Sequence, residues 1–392
     1  AAGGASAATV DFGGGALTYT AAGGIANVVT LSVSGGTITL TEGSEGTITL
    51  TGGASGHGCS AAAGTVTCPQ TGVATIGLSL GDLADAVTID SVERATTVDL
   101  GTGDDSLVLG TTVSAPANRA SLVTALVDAV GGAGTDAVTL NDFGDSSPDV
   151  VSVSAGAIGD QPDDTYFGAN GRLTYAGFES VELNASPSAD IVRVRSTAAD
   201  AQTTLKANGA GDVFQVSSDG SGFSGDLDGI DGALALLGGT GSNTLIVSDR
   251  DAADADEAVV TASTLTGLAP VPIAYSATGT FGGGITVRAT GLADTIAVES
   301  TLPGLITSIY GTSGDDTVRV SSDGTGTTGD LDGIGGELSI DGGAGAIAIV
   351  VSDLGETSPG SNASAIVDAT GITGLAGPLD TVPIVLSASG GT

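Results

Sequence analysis

The stretch VSSDGSGFSGDLDGIDG (Val216–Gly232) returns as VSSDGTGTTGDLDGIGG (Val320–Gly336), a shift of 320 − 216 = 104 residues. The same shift carries Gly238-Gly239 onto Gly342-Gly343 and Ser248-Asp249 onto Ser352-Asp353. A more diverged copy places Gly103-Asp104-Asp105, Gly131-Gly132-Ala133-Gly134 and Asn141-Asp142 in the same order. A chain written in tandem copies stacks supersecondary units, each burying its apolar face on its neighbours. Leu83-Ala84-Asp85, Ser188-Ala189-Asp190 and Leu292-Ala293-Asp294 open the copies. They divide the chain into an N-terminal segment, 1–82, and blocks 83–187, 188–291 and 292–392, the last incomplete at its end.

Each opening is followed by a short alternating run: AVTID, IVRVR or TIAVE. Period-2 alternation is the mark of a half-buried strand. Similar runs (SLVLG, AVTLN, VVSVS, TLIVS, IAIVV) recur at short intervals and end in Gly, Asp or Asn. The composition agrees, with 41% hydrophobic residues, 66 glycines and only 3% aromatics. Val, Ile and Thr suit strands, and Gly and Asp suit tight turns. The expected fold is all-β, a repetitive β-helix-like solenoid in which each strand pairs one turn away. The alternative is a row of tandem β-sandwich domains. The absence of Trp argues against sandwich cores. The spacing of Gly103 to Gly131 and of Gly314 to Gly342, both 28 residues (131 − 103; 342 − 314), argues for regular turns. Asn118–Val130 departs from this pattern: Leu122, Val123, Leu126, Val127 and Val130 share one helical face, so one short inserted helix is predicted there.

The formal charge is −36, with a single lysine, Lys206. Such a surface repels nucleic acid and anionic membranes. It suits divalent cations, basic partners or high salt. No apolar run approaches the ~20 residues of a membrane span. The chain has no Met, as expected of an exported protein after removal of a signal segment. An extracellular or cell-surface location follows, and there Cys59 and Cys68, the only cysteines, are expected to form a disulfide.

At its turns the sequence resembles the RTX-type, hemolysin-like calcium-binding repeat proteins of bacterial surfaces. Gly131-Gly132-Ala133-Gly134-Thr135-Asp136-Ala137-Val138-Thr139 matches the pattern G-G-x-G-x-D-x-apolar-x in full. GTGDDSLV (Gly101–Val108), GGTGSNTLI (Gly238–Ile246) and GTSGDDTV (Gly311–Val318) match in part. The resemblance implies a solenoid and calcium, with Asp136 as a ligand. The chain departs from the family where Asn243 and Ile347 replace the aspartate and where the motifs stand alone rather than in consecutive turns. On the competing reading the Gly-Asp pairs are plain turns, with Asp bonding its own backbone.

The SSDGxGxxGDLDGI loops gather Asp219, Asp226 and Asp228 in one copy and Asp323, Asp330 and Asp332 in the other. Carboxylates crowded in a glycine-rich loop repel unless an ion or water separates them, which makes these six the principal calcium candidates. Enzyme chemistry is disfavoured. A solenoid polysaccharide-acting enzyme, the remote alternative, would need basic and aromatic residues around its carboxylates, and the chain has one His, one Lys and no Trp. Asn184 and Asn362 stand in glycosylation sequons, the first weakened by Pro187.

The third block stops short. Val271–Ala277 aligns with Val382–Ala388, after which the second block continues FGGGITVRATGLAD (Phe281–Asp294). The N-terminus supplies a similar piece, FGGGALTYTAAGGIAN (Phe12–Asn27). The expected function is therefore non-enzymatic: the subunit of an extracellular fibre in which copies of the chain polymerise head to tail. Leu17 and Tyr19 of one copy should meet Ile384 and Leu386 of the next. The alternative is a stalk segment of a large calcium-dependent adhesin.

Overall fold

A computed structural model describes residues 7–44, 46–110, 119–355, 366–368, 371–376 and 382–387. The chain forms two compact units, Ala1–Ser188 with Asp200–Lys206, and Ala189–Ala199 with Ala207–Thr392. Both are all-β and parallel-dominated, as a repetitive solenoid requires.

In the first unit, successive strands pass to alternate sheets. Thr75–Asp82, Ala95–Thr102, Leu126–Ala133 and Arg172–Ala176 build one parallel ladder. Ala86–Ile89, Ser106–Leu109, Ala137–Asn141, Ser180–Asn184 and Gln202–Lys206 build the other. The alternation in sequence becomes an in-out alternation in space. Val87, Leu107, Val138 and Val181 stack in one inward column, and Ile89, Leu109, Leu140 and Leu183 in the next, all essentially without solvent exposure. Residues packed this way stabilise by roughly 25 cal/mol per Å² of apolar surface removed from water.

The N-terminal segment mixes antiparallel hairpins with parallel pairs, Ile48–Leu50 on Ala8–Gly13 and Thr75–Asp82 on Ala16–Thr20. Ala8–Gly13 and Ala16–Thr20 form a hairpin, and Val28–Ser34, Thr37–Glu42, Thr65–Pro69 and Ser60–Ala62 form a meander. The single α-helix among the described residues, Gly52–His57, lies here. Thr51 Oγ1 caps it by accepting from the Ala54 N–H at 3.4 Å, and Gly58 ends it in the left-handed conformation. Cys59 and Cys68 are bonded just beyond it, as expected.

In the second unit one ladder runs through Ile191–Val194, Val213–Val216, Thr244–Ser248, Ile285–Arg288, Thr307–Tyr310, Leu338–Asp341 and Val382–Ser387. A second runs through Glu257–Val260, Thr295–Val298, Asp316–Val320 and Ile347–Val351. Thr264–Thr266 folds antiparallel between Glu257–Val260 and Ile273–Ser276. The two copies of the VSSDG stretch leave different sheets. The first follows Val213–Val216 and the second follows Asp316–Val320.

Two expectations need correction. Arg119–Val130 is not a helix: Ala120–Leu122 makes one 3₁₀ turn and Leu126–Ala133 is a strand. Parallel partners on both sides override the helical spacing. Val127 and Ala129 point inward, while Val130 is 44% exposed. The glycine turns also repeat at 31 residues rather than 28: Asp105 and Asp136 are adjacent rungs across that interval. Gly134 shows why the turn residue cannot vary. Its φ is +151°, and a Cβ there would fall on the carbonyl of Gly103 in the adjacent coil.

Candidate functional site

The aspartates that open the strands form ladders. In the first unit the Asn27 N–H donates to Asp85 Oδ1 at 2.7 Å, and the Asp85 N–H to Asp105 Oδ1 at 2.7 Å. The Asp105 N–H donates to Asp136 Oδ1 at 2.8 Å, and the Asp136 N–H to Glu179 Oε2 at 2.6 Å. The second unit repeats the device with Asp190 on Asp212 (2.8 Å) and Asp212 on Asn243 (3.0 Å). It appears there again with Asp256 on Asp294 (2.8 Å) and Asp294 on Asp316 (3.0 Å). Each side chain thus satisfies a buried amide of the neighbouring coil rather than its own backbone. The other carboxyl oxygens of Asp85, Asp105, Asp136, Asp212 and Asp316 are buried and accept no hydrogen bond. Burial pushes Asp85 and Asp316 up to about 6 and Asp212 to about 7.

Asp136, the residue to which the motif assigns calcium, belongs to no group of three converging acids among the described residues. Its Oδ1 is taken by Asp105, and its Oδ2 packs where a Cβ on Gly131 would sit 2.8 Å away. Asn243 preserves the rung because an amide oxygen accepts the same bond. Ile347 ends the ladder.

The repeated loops are closed by their own hydroxyls. Asp219 Oδ1 accepts from Ser217 Oγ at 2.7 Å and from the Ser221 N–H at 2.9 Å, and Oδ2 accepts from Ser221 Oγ at 2.8 Å and also from Ser224 Oγ. Burial acts to raise its pKa, but the hydroxyl donors prevail and hold it at about 2. Asp323 repeats the arrangement with Ser321, Thr325 and Thr328, and the Thr328 hydroxyl leads in holding it low. Asp226 Oδ2 accepts from Ser218 Oγ at 2.8 Å. Asp330 receives the Asp332 N–H at 3.2 Å. Asp228 lies near Asp249 and Asp256 instead. Neither triad converges on a point.

One cluster does converge. Asp142, Asp145 and Asp149 each place a carboxylate oxygen within 4.8 Å of the others, the only such acidic group among the described residues. The segment Asp142–Asp149 follows the strand Ala137–Asn141 and leads into Val150–Ser154. Asp142 Oδ1 accepts from the Ala120 N–H at 2.6 Å. Asp145 accepts from the Ser147 N–H at 2.8 Å, and Asp149 from Thr165 Oγ1 at 3.1 Å. Burial and then the neighbouring acids raise the proton affinity of Asp142. This cluster could hold a metal ion. The sequence carried a signal for it, Asn141-Asp142 standing where Ser248-Asp249 and Ser352-Asp353 recur, but only as a repeat marker.

The remaining sequence candidates are structural. The strand Ala16–Thr20 is paired on both edges, with Ala8–Gly13 and with Thr75–Asp82, so Leu17 and Tyr19 are core residues and not a free contact surface. Tyr19 Oη donates to Glu42 Oε2 at 2.8 Å. Val382–Ser387 is likewise paired on both edges, and Ile384 is buried while Leu386 is half-buried. His57 stacks on Phe12 at 3.7 Å and bonds the Pro69 carbonyl. Asn184 is buried and donates to Asn141 and Glu182, which removes it as a glycan acceptor. Asn362 lies outside the described residues. No protein-family model matches the chain, and no curated protein matches it.

Proposed function

We propose that this is a non-enzymatic structural protein of the cell exterior, a β-solenoid subunit that joins end to end with copies of itself. The observation that carries the reading is one open edge. Among the described residues, Ile347–Val351 pairs only with Asp316–Val320. Its residues Ile347, Ile349 and Val351 are half-exposed, whereas the equivalent Leu245 and Val247 are fully buried. Unpaired strand edges recruit strands. The joint is thereby moved from Leu17 and Tyr19, which are already enclosed. The disulfide suits an oxidising exterior, and no helix among the described residues is long and apolar enough to cross a membrane. A metal bound by carboxylates alone belongs to the hard class, calcium foremost.

Sedimentation velocity and electron microscopy test the joint. Wild-type protein should form fibres, and Ile349→Lys, which charges the edge, should give folded monomers. Fibres of unchanged axial repeat from Ile349→Lys would place the joint elsewhere.

A second reading, a stalk in a longer adhesin, draws on the same edge. In the first two blocks the strands equivalent to Ile347–Val351 are covered in parallel by Ser180–Asn184 and Ile285–Arg288. Appending a copy of Phe281–Asp294 after Thr392 should supply such a cover. A fully monomeric native protein whose thermal stability rises with that addition favours the stalk.

A further inference from the structure

Two carboxylates cannot meet in a dry site unless something positive lies between them. Asp142 is fully buried. Its Oδ1 is used by the Ala120 N–H at 2.6 Å, and its Oδ2 is buried without a hydrogen-bond partner. That oxygen is left to the carboxylates of Asp145 and Asp149, which converge with Asp142 to within 4.8 Å. The fixed donors around the cluster are spent at its margins. Ser147 N–H reaches Asp145 Oδ1 at 2.8 Å, Ser121 Oγ reaches Asp145 Oδ2 at 3.4 Å, and Thr165 Oγ1 reaches Asp149 Oδ1 at 3.1 Å. The one cation nearby, Arg119, commits its Nε to the Gly144 carbonyl at 3.0 Å. Three acids against one guanidinium leave the ionised cluster strongly negative.

We propose that Asp142, Asp145 and Asp149 bind one hard divalent cation of the calcium class, which pins the segment leading to Val150–Ser154 against the turn at Ala120–Leu122. The ligands are all oxygens, three of them carboxylates, which is the donor set of calcium rather than of zinc or copper. The site lies outside the glycine-rich motifs and outside the SSDG loops.

The second block contains a control. Asp249 and Asp256 also face each other, and Asp249 Oδ1 accepts from the Leu227 N–H at 2.6 Å, as Asp142 does from Ala120. The offset 249 − 142 = 256 − 149 = 107 carries Asp145 onto Ala252. The counterpart of Asp145 is therefore absent there, and although Asp228 lies near the pair, no three carboxylates of that region converge among the described residues. One cation per chain is the consequence.

The experiment is calorimetric titration of calcium chloride into chelator-stripped protein at ~150 mM salt, where diffuse attraction to the acidic surface is screened. The readout does not involve self-association, so it stands or falls apart from the fibre reading. Wild-type protein should saturate at one calcium per chain and show a calcium-dependent rise in its thermal midpoint. Asp145→Ala, and independently Asp142→Asn, which keeps the acceptor for Ala120, should weaken binding roughly tenfold or more. Asp249→Asn should leave affinity and stoichiometry unchanged. The proposal is overturned if folded wild-type protein binds no calcium saturably. It is equally overturned if binding survives both cluster variants or is lost in Asp249→Asn.

Discussion

The backbone N–H of Asp105 donates to Oδ1 of Asp136 at 2.8 Å, across 31 residues of sequence and one coil of the solenoid. The bond recurs wherever two stacked coils both open a strand with Asp, and it joins coils at a turn, where strand ladders cannot reach. The recurrent Gly-Asp pairs are therefore coil-to-coil fasteners, with glycine giving the close approach and aspartate the bond.

Asp136→Ala should strip the acceptor from a buried amide and cost about 1–3 kcal/mol. Asp136→Asn should cost clearly less, because Asn243 occupies the equivalent rung and accepts from the Asp212 N–H at 3.0 Å. Chemical denaturation of the two variants makes the comparison. Equal losses would mean that the carboxyl group acts by charge and not as an acceptor.

Gly134→Ala should be far costlier than Gly36→Ala. Gly134 has φ +151° and faces the Gly103 carbonyl, whereas Gly36 has φ +77° with nothing within 4 Å. The expected losses are at least ~2 kcal/mol for the first and about 1 kcal/mol for the second. Similar melting curves for the two would show that close coil stacking does not set the glycine requirement.

The pH dependence follows from opposite shifts. Burial raises Asp85 and Asp316 to about 6 and Asp212 to about 7, so the folded chain holds protons that the unfolded chain has released. That stability is complete below the ordinary carboxylate pKa and is lost as pH rises through 6 to 7, in proportion to the excess bound protons. Asp219, held at about 2, acts in reverse, and its contribution disappears as pH falls from the ordinary value toward 2. Thermal midpoints should therefore peak near the ordinary carboxylate value, ~pH 4, and decline until ~pH 7. A midpoint that rises steadily to ~pH 8 would show that the ladder oxygens are hydrated.

Reducing Cys59–Cys68 should destabilise the N-terminal segment by about 2–3 kcal/mol through the short loop it closes. Hydrogen exchange should quicken in Gly52–His57 and Thr65–Pro69 and stay unchanged in Ser180–Asn184, since solenoid coils interact with near neighbours. Uniform loss of protection would mean that the bond governs the whole unit.

The strands were legible because their signal is local. In AVTID, Val87 and Ile89 alternate with polar neighbours, and burial follows that alternation without exception. Leu126–Ala133 misled because its apolar residues also satisfy a helical face, and no local feature reveals that strands wait on either side. The short helix Gly52–His57 had capping residues but no apolar periodicity to announce it. It forms where Ala54 can be buried and Thr51 and Gly58 can cap it.

The amino-acid sequence by itself determined the all-β class, the repeat and the disulfide, because alternation, tandem copies and a solitary cysteine pair are properties of neighbouring residues. Only the tertiary structure decided what the aspartates do. Asp136, read as a calcium ligand, is a rung whose partner lies 31 residues away, and Asp219 is satisfied by serines in its own loop. Asp142, read only as a repeat marker, meets Asp145 and Asp149 in a buried cluster. A carboxylate's role depends on which donors and acids surround it, and in a solenoid those neighbours come from other coils. The register of coil on coil is set by the packing of the whole stack.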